Sequence, residues 1–285
     1  EFINCTADGA FWGMRLKKIA PEIANLPPVV NLACDPEQDD GGGHRNVDKN
    51  ASDLTLNSAK LTCVSAQHKL NPGKIRFEWQ GIDLGTENAV LDVWAEATLQ
   101  PDGDFCYFDG GFENRSKFYT VYYFELPRIS GLGAINDKPE NDFWALPFYN
   151  GRLIKNPVEK GLLGKNHQFA ANVSGHSMQF DALYNEENGL YLGTFDPEQT
   201  VKRYTLDSNG QGVAWAILNV PDNMRQVPQK WTIPYSSGIR VFHGDWYDAC
   251  QIYRQWALQQ PWTQGGPLTA NKNISYKLTA TQQTE

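Results

Sequence analysis

The chain has 285 residues, 41% hydrophobic and 20% charged, with 33 acidic against 25 basic side chains and a formal net charge of −8. That apolar fraction can build a core and excludes global disorder. No apolar run reaches membrane-spanning length, and the acidic balance disfavours nucleic acid, whose binding depends on clustered Lys and Arg.

The opening residues EFINC read as strand, so no secretory leader is expected. Glu1-Phe2 has the character of a cloning remnant, and the sequence is expected to be a mature form or an excised piece. Residues 2–5 and 11–17 flank Ala7-Asp8-Gly9, a hairpin signal. Pro21, Pro27 and Pro28 mark 20–30 as loop. Residues 35–52, DPEQDDGGGHRNVDKNAS, have no apolar period and three consecutive Gly, and read as a long loop. Asp35, Asp39 and Asp40 within it are hard oxygen ligands that could hold Ca²⁺. Their spacing does not match an EF-hand, and a solvated acidic loop is the plainer reading.

Strand patterning dominates from residue 54 onward. Segments 60–70 and 74–82 flank Asn71-Pro72-Gly73. In KIRFEWQGI, Ile75, Phe77 and Trp79 alternate with Arg76, Glu78 and Gln80, the pattern of a half-buried strand. Segments 90–99 and 104–112 flank Pro101-Asp102-Gly103, a second hairpin, and KFYTVYYFEL at 117–126 is rich in β-branched and aromatic residues. A Gly/Pro-rich crossing follows at 127–157. Four strands are then expected at 177–184, 189–194, 200–206 and 212–219, and two more at 232–235 and 238–243. A dozen or more short strands with turn signals between them, no βαβ rhythm and no repeat predict one large two-sheet sandwich or barrel.

The last element differs. In HGDWYDACQIYRQWALQQPW, from His243 to Trp262, the residues Trp246, Ala249, Cys250, Tyr253, Trp256 and Ala257 form one stripe at helical spacing. Asp245 can cap the first turn, Asp248 lies near the positive dipole end, and Pro261 stops the helix. The stripe is expected to bury against the sheet, and either that contact suffices or the helix also docks a second domain.

No GxSxG, HExxH, Walker or GxGxxG motif occurs. The five Cys are widely spaced with no CxxC pair, which excludes zinc ribbons and thioredoxin-like chemistry; buried free thiols are expected, with one disulfide as the alternative. Asn-x-Ser/Thr matches occur at Asn4, Asn50, Asn114, Asn172 and Asn273 and do not settle the compartment. His176 and Asp181, in GHSMQFDALY, could serve a sugar site or be structural. In the crossing, Trp144, Tyr149, Asn150 and Arg152 offer aromatic faces for stacking on a sugar ring and fixed donors for its hydroxyls. The alternative is that Trp144 and Phe148 plug one end of the sandwich.

Four stretches, FENRSKFYTVYYFELPRISGLG, DFWALPFYNGRLIKNP, MQFDALYNEENGLYLGTFDPEQTVKRY and the helix segment, lie within about two thirds of the chain. Together the sequence resembles the N-terminal galactose-mutarotase-like β-sandwich domain of large bacterial glycoside-hydrolase-like proteins, a domain catalogued as of unknown function. The resemblance implies an all-β, two-sheet antiparallel β-supersandwich with one C-terminal α-helix. It divides the chain into a sandwich at 1–243, a linker helix at 244–262 packed on it, and a tail at 263–285 leading to a (β/α)₈ barrel that holds the catalytic carboxylates.

The leading expectation is therefore a noncatalytic, carbohydrate-associated module of an extracellular or periplasmic glycoside hydrolase. It would brace the barrel and lend loops to sugar binding, with carbohydrate as ligand and neither nucleic acid nor membrane as partner. A free-standing sugar mutarotase is one alternative, with His68, His176 or His243 beside a carboxylate as acid and base. A structural or assembly protein is the other.

Overall fold

The structure, a computed structural model, describes residues 10–19, 53–70, 73–100, 103–135, 138–148, 150–160, 167–170, 176–185, 187–208 and 213–264. Its strands are β1 (Gly13–Lys18), β2 (Asp53–Asn57), β3 (Ser65–Leu70), β4 (Gly73–Leu84), β5 (Glu87–Leu99), β6 (Phe105–Asn114), β7 (Tyr119–Leu132) and β8 (Phe143–Leu146). After these come β9 (Arg152–Lys155), a single helical turn α1 (Pro157–Lys160), β10 (His167–Ala170), β11 (Phe180–Tyr184), β12 (Asn188–Phe195) and β13 (Lys202–Ser208). The chain continues through β14 (Val213–Asn219), β15 (Gln229–Thr232), β16 (Ser236–His243) and the helix α2 (Trp246–Ala257).

The strands form two antiparallel sheets. One has six strands in the order β10-β13-β14-β7-β1-β2; the other runs β3-β4-β5-β6-β16-β12-β11-β8-β9, with β15 also paired to β6. The all-β, two-sheet antiparallel architecture is as expected, and α2 is the one substantial helix among the described residues. The predicted hairpins β3–β4 and β5–β6 are both present, with Ile75 opposite Ala97 and Ala97 opposite Phe108 in register. The expected partner of β1 at 2–5 lies outside the described residues; β1 pairs with β2 and β7. The crossing at 127–157 is not all loop. It carries the end of β7 and the hairpin β8–β9, which closes one edge of the large sheet.

Alternation explains the core. The inward residues of β4–β6 and of β1 and β7 meet in one cluster, where Trp12 stands edge-on to Trp79 with centroids 5.5 Å apart. A second cluster joins Trp144, Leu183 and Leu192 of the large sheet to Ile129, Tyr204, Leu206 and Trp215 of the small one. Each such buried side chain contributes about 1.5–3 kcal/mol relative to exposure.

Buried polar groups pin the sheets at fixed points. The Gln229 amide accepts from the Val121 N–H at 2.7 Å and donates to the Val121 carbonyl at 3.2 Å, a strand-like pairing made by a side chain. Asn219 Nδ2 donates to the carbonyls of Phe124 and Leu126, while the Tyr235 hydroxyl donates to Asn219 Oδ1. Lys202, fully buried, is ion-paired with Asp196 and sits 4.3 Å from the centre of the Tyr235 ring. Burial pulls the pKa of Lys202 down to about 8 against the pull of Asp196. Burial also opposes ionisation of Asp196, but Lys202 and Thr200 outweigh it and hold that carboxyl below its ordinary value.

Candidate functional site

The residues singled out in the crossing do not form one surface. Trp144 faces inward from β8, opposite Leu183 and Ile154, and is 0% exposed. Its indole belongs to the inter-sheet core, so in this structure it offers no face to a sugar. The Trp144 Nε1–H has no hydrogen-bond partner among the described residues. Asn150 and Arg152 are exposed, and the Arg152 guanidinium lies 5.4 Å from the Phe148 ring centre. Tyr149 lies outside the described residues.

His176 and Asp181 do meet, but inside the protein. His176 Nε2 is 3.0 Å from Asp181 Oδ1, and both side chains are 0% exposed. Trp215 Nε1 donates to the other carboxylate oxygen at 2.9 Å. The His176 ring is 5.1 Å from Tyr204 and 5.8 Å from Phe148, both edge-on. Burial raises the Asp181 pKa, while the contacts with His176 and Trp215 lower it. A β-strand alternates its side chains, so Asp181 points between the sheets while Phe180 and Ala182 point out. That parity for Asp181, and full burial for both side chains, keep His176 and Asp181 off the surface in this structure. His68 and His243 are exposed on β3 and at the end of β16, so the three histidines share no site.

The predicted calcium ligands Asp35, Asp39 and Asp40 lie outside the described residues. Among the described residues, no three His, Cys, Asp or Glu side chains group as a metal site, and no helix is long and apolar enough to cross a membrane. Cys63, Cys106 and Cys250 are free thiols, as expected, but Cys63 is exposed and the other two are half-buried where burial was expected. Asn114 is fully buried and donates to the Tyr119 carbonyl, which removes it as a glycan acceptor.

Two other surfaces stand out. The first is the outer face of β4, β5 and β6. Glu78 faces Trp94, Arg76 faces Glu96, and Glu96 faces Asp109 across the ladder. The Arg76 guanidinium lies 4.2 Å from the Trp94 ring centre and its Nε donates to Glu78 at 2.9 Å. Gly111 permits this arrangement: a Cβ there would stand 2.9 Å from Trp94 Nε1 and 2.6 Å from the Trp231 carbonyl. Lys74 pairs with Glu96 at 2.7 Å. Burial raises the Asp109 pKa and the facing Glu96 raises it further, against the Ser236 hydroxyl and Lys74. Two carboxyl groups in unlike surroundings are the chemical basis of acid–base work. The alternation in KIRFEWQGI assigns Arg76 and Glu78 to one face, but pairing Glu96 with Asp109 requires the register, which the sequence does not state.

The second is α2. Asp245 accepts from the Tyr247 N–H, and Asp248 returns the contact by accepting from the Asp245 N–H at 3.0 Å, a reciprocal cap. Ala249 and Ile252 are buried against Phe180, Tyr184, Tyr191 and Phe242 on the outer face of the large sheet. Tyr253 and Trp256 extend that contact to Phe180 and Phe195. The buried face is thus rotated from the expected stripe: Ile252 joins it, and Trp246 leaves it at 46% exposed. On the opposite side Tyr247 and Leu258 are 57% and 52% exposed, whereas Trp262, just beyond the helix, stands edge-on to Trp256 at 5.7 Å and is 46% exposed. Residues 247, 251, 254 and 258 recur at i, i+4, i+7 and i+11, so Tyr247 and Leu258 share one solvent-facing stripe.

Comparison with known proteins adds the following. A family described as a domain of unknown function, DUF6259, matches residues 231–283, which take in the end of β15, β16 and α2. No curated protein matches the chain. Among solved structures, the alpha-N-acetylgalactosaminidase NagBb from Bifidobacterium bifidum, in complex with GalNAc, is 11% identical with a TM-score of 0.51; the alignment covers 74% of this chain and 32% of that one. An alpha-mannosidase from Enterococcus faecalis aligns at 9% identity and TM-score 0.47, covering 87% of this chain and 27% of its own. The chain spans about a third of the length of NagBb, and at 11% identity the likeness is one of fold.

Proposed function

We propose that this chain is a noncatalytic β-sandwich module of a carbohydrate-active protein, docked on a neighbouring catalytic domain through the solvent-facing side of α2. The observation that carries the reading is that Tyr247 and Leu258 are exposed on the side of α2 turned away from the sheet, with Trp246 and Trp262 also exposed at its two ends. Such large apolar groups on one short segment are the mark of an interaction surface. That segment lies within the part of the chain that matches a family, and the fold is shared with part of a larger glycosidase. The noncatalytic part of the reading is supported by the burial of His176 and Asp181, which serve the core. A (β/α)₈ barrel is the neighbour that the family resemblance implies.

The test is a Tyr247→Ser, Leu258→Ser double variant, made both in this chain and in the full-length protein. Both side chains face solvent, so the chain alone should keep its melting temperature. The full-length protein should lose its single cooperative transition and melt in two steps. One unchanged transition in the full-length variant rejects the docking surface. A mass that rises with concentration in light scattering would assign the same row to a second copy of this chain.

A second reading, a sugar 1-epimerase of the same fold, has one observation in its favour: the Glu96–Asp109 pair, one carboxyl of which is pushed toward its neutral form. Such an enzyme needs a general acid at the ring oxygen and a base at the anomeric hydroxyl. Polarimetry of freshly dissolved α-glucose and α-galactose decides it, with Asp109→Asn expected to abolish any acceleration.

A further inference from the structure

Where α2 crosses the large sheet it leaves a groove of about 390 Å³, within the ~300–1,000 Å³ range of small-ligand sites. We infer that this groove binds a neutral pyranose sugar, an assignment that rests on the carbohydrate-active reading and gives it a ligand site within this chain.

The walls are aromatic. Phe105 and Tyr107 on β6 stack at 5.3 Å with 24° between their planes, and Phe195 of β12 stands edge-on to both at 5.2 and 5.9 Å. Trp256 closes the opposite side from the helix, 5.9 Å from Phe195. All four rings are only partly covered. Ring faces left open in this way suit the apolar C–H face of a pyranose.

The rim is polar and uncharged. Gln255 on α2 and Gln259 just past its end are exposed and border the groove, and Ser236 also lines it. The Tyr107 hydroxyl and the Gln255 amide donate to and accept from no other described residue. Amides and hydroxyls both donate and accept, which matches sugar hydroxyls. No cation lines the groove. The Arg240 guanidinium lies 5.6 Å from the Phe105 ring centre and is paired with Asp104 at 2.7 Å. A phosphate or carboxylate ligand would have to compete with Asp104 for Arg240, and an acyl chain would strip water from two amides without replacing it.

The experiment is calorimetric titration of the chain with methyl glycosides of galactose, N-acetylgalactosamine, glucose and mannose, with tryptophan emission recorded in parallel because Trp256 forms a wall. Saturable binding in the millimolar range is expected for at least one of them. Tyr107→Phe and Gln255→Ala should each weaken it roughly five-fold, the loss of about one hydrogen bond, with an unchanged melting temperature. Leu70→Ala, at the exposed end of β3, should leave the affinity unaltered. Binding that survives both groove variants overturns this site while leaving the carbohydrate reading in place. No binding of any of the four overturns the groove assignment, and the docking test above then decides the module reading independently.

Discussion

Trp256 of the C-terminal helix stands edge-on to Phe195 of the large sheet, centroids 5.9 Å apart and planes at 63°. This contact sets the seating of α2. It holds the helix across β12 and β16, turns Tyr247 and Leu258 outward, and opens the groove beside Tyr107. The helix thus has a buried side that belongs to the sandwich and an apolar side that does not.

The entry to that helix depends on Gly244. Its φ of +109° suits glycine, and a Cβ there would collide with the Asp248 carboxylate that caps Asp245. Gly244→Ala is expected to cost about 2–3 kcal/mol, from the strained backbone and the lost reciprocal cap. Urea unfolding measures the cost, and limited proteolysis should find α2 the first segment cut.

Trp144 and Arg152 should separate in mutagenesis. Trp144→Ala empties a large volume between the sheets and is expected to cost about 3–5 kcal/mol. Arg152→Ala, at an exposed edge, should stay within about 0.5 kcal/mol of wild type. Denaturation midpoints of the two variants check the assignment of one to the core and the other to the surface.

Asp181 holds two buried donors or partners at once, Trp215 and His176. Asp181→Ala strands the Trp215 indole and removes one partner of His176, and is expected to cost about 3 kcal/mol, whereas Asp181→Asn retains an acceptor for Trp215 and should cost about 1 kcal/mol. Equal losses in thermal or urea unfolding would contradict the hydrogen-bonded arrangement.

Stability should vary with alkaline pH in two directions. Lys202 has a folded-state pKa of about 8 against an ordinary value of 10.5, so from pH 8 upward the unfolded chain binds the extra proton and stability rises. Tyr191, Tyr204 and Tyr235 are raised well above 10 by burial, so above pH 10 they ionise in the unfolded chain first and stability falls. Urea midpoints between pH 7 and 11 should pass through a maximum near pH 10. Lys202→Met should flatten the rising limb and keep the falling one.

Strand patterning made most of the sandwich legible. The alternation around Ile75, Phe77 and Trp79 and the turn chemistry at Asn71-Pro72-Gly73 and Pro101-Asp102-Gly103 fix two hairpins without reference to the rest of the chain. Residues 143–155 were harder, because β8 and β9 are four residues each and sit among Pro and Gly. In so short a strand the parity that buries Trp144 depends on its pairing with β11. The helix was legible in extent, but its buried face is set by where Phe195 and Phe180 lie, and that turned Ile252 inward and Trp246 outward. The Glu96–Asp109 pair and the Tyr107 groove come from strands and a helix far apart in sequence, so no local spacing announces either.

The most direct test of the proposed docking is hydroxyl-radical footprinting read by mass spectrometry, on this chain alone and on the full-length protein. The predicted result is strong modification of Trp246, Tyr247, Leu258 and Trp262 in the isolated chain and marked protection of the same four residues in the full-length protein, with Val241 equally modified in both. Equal modification of all four residues in the two samples would contradict the account.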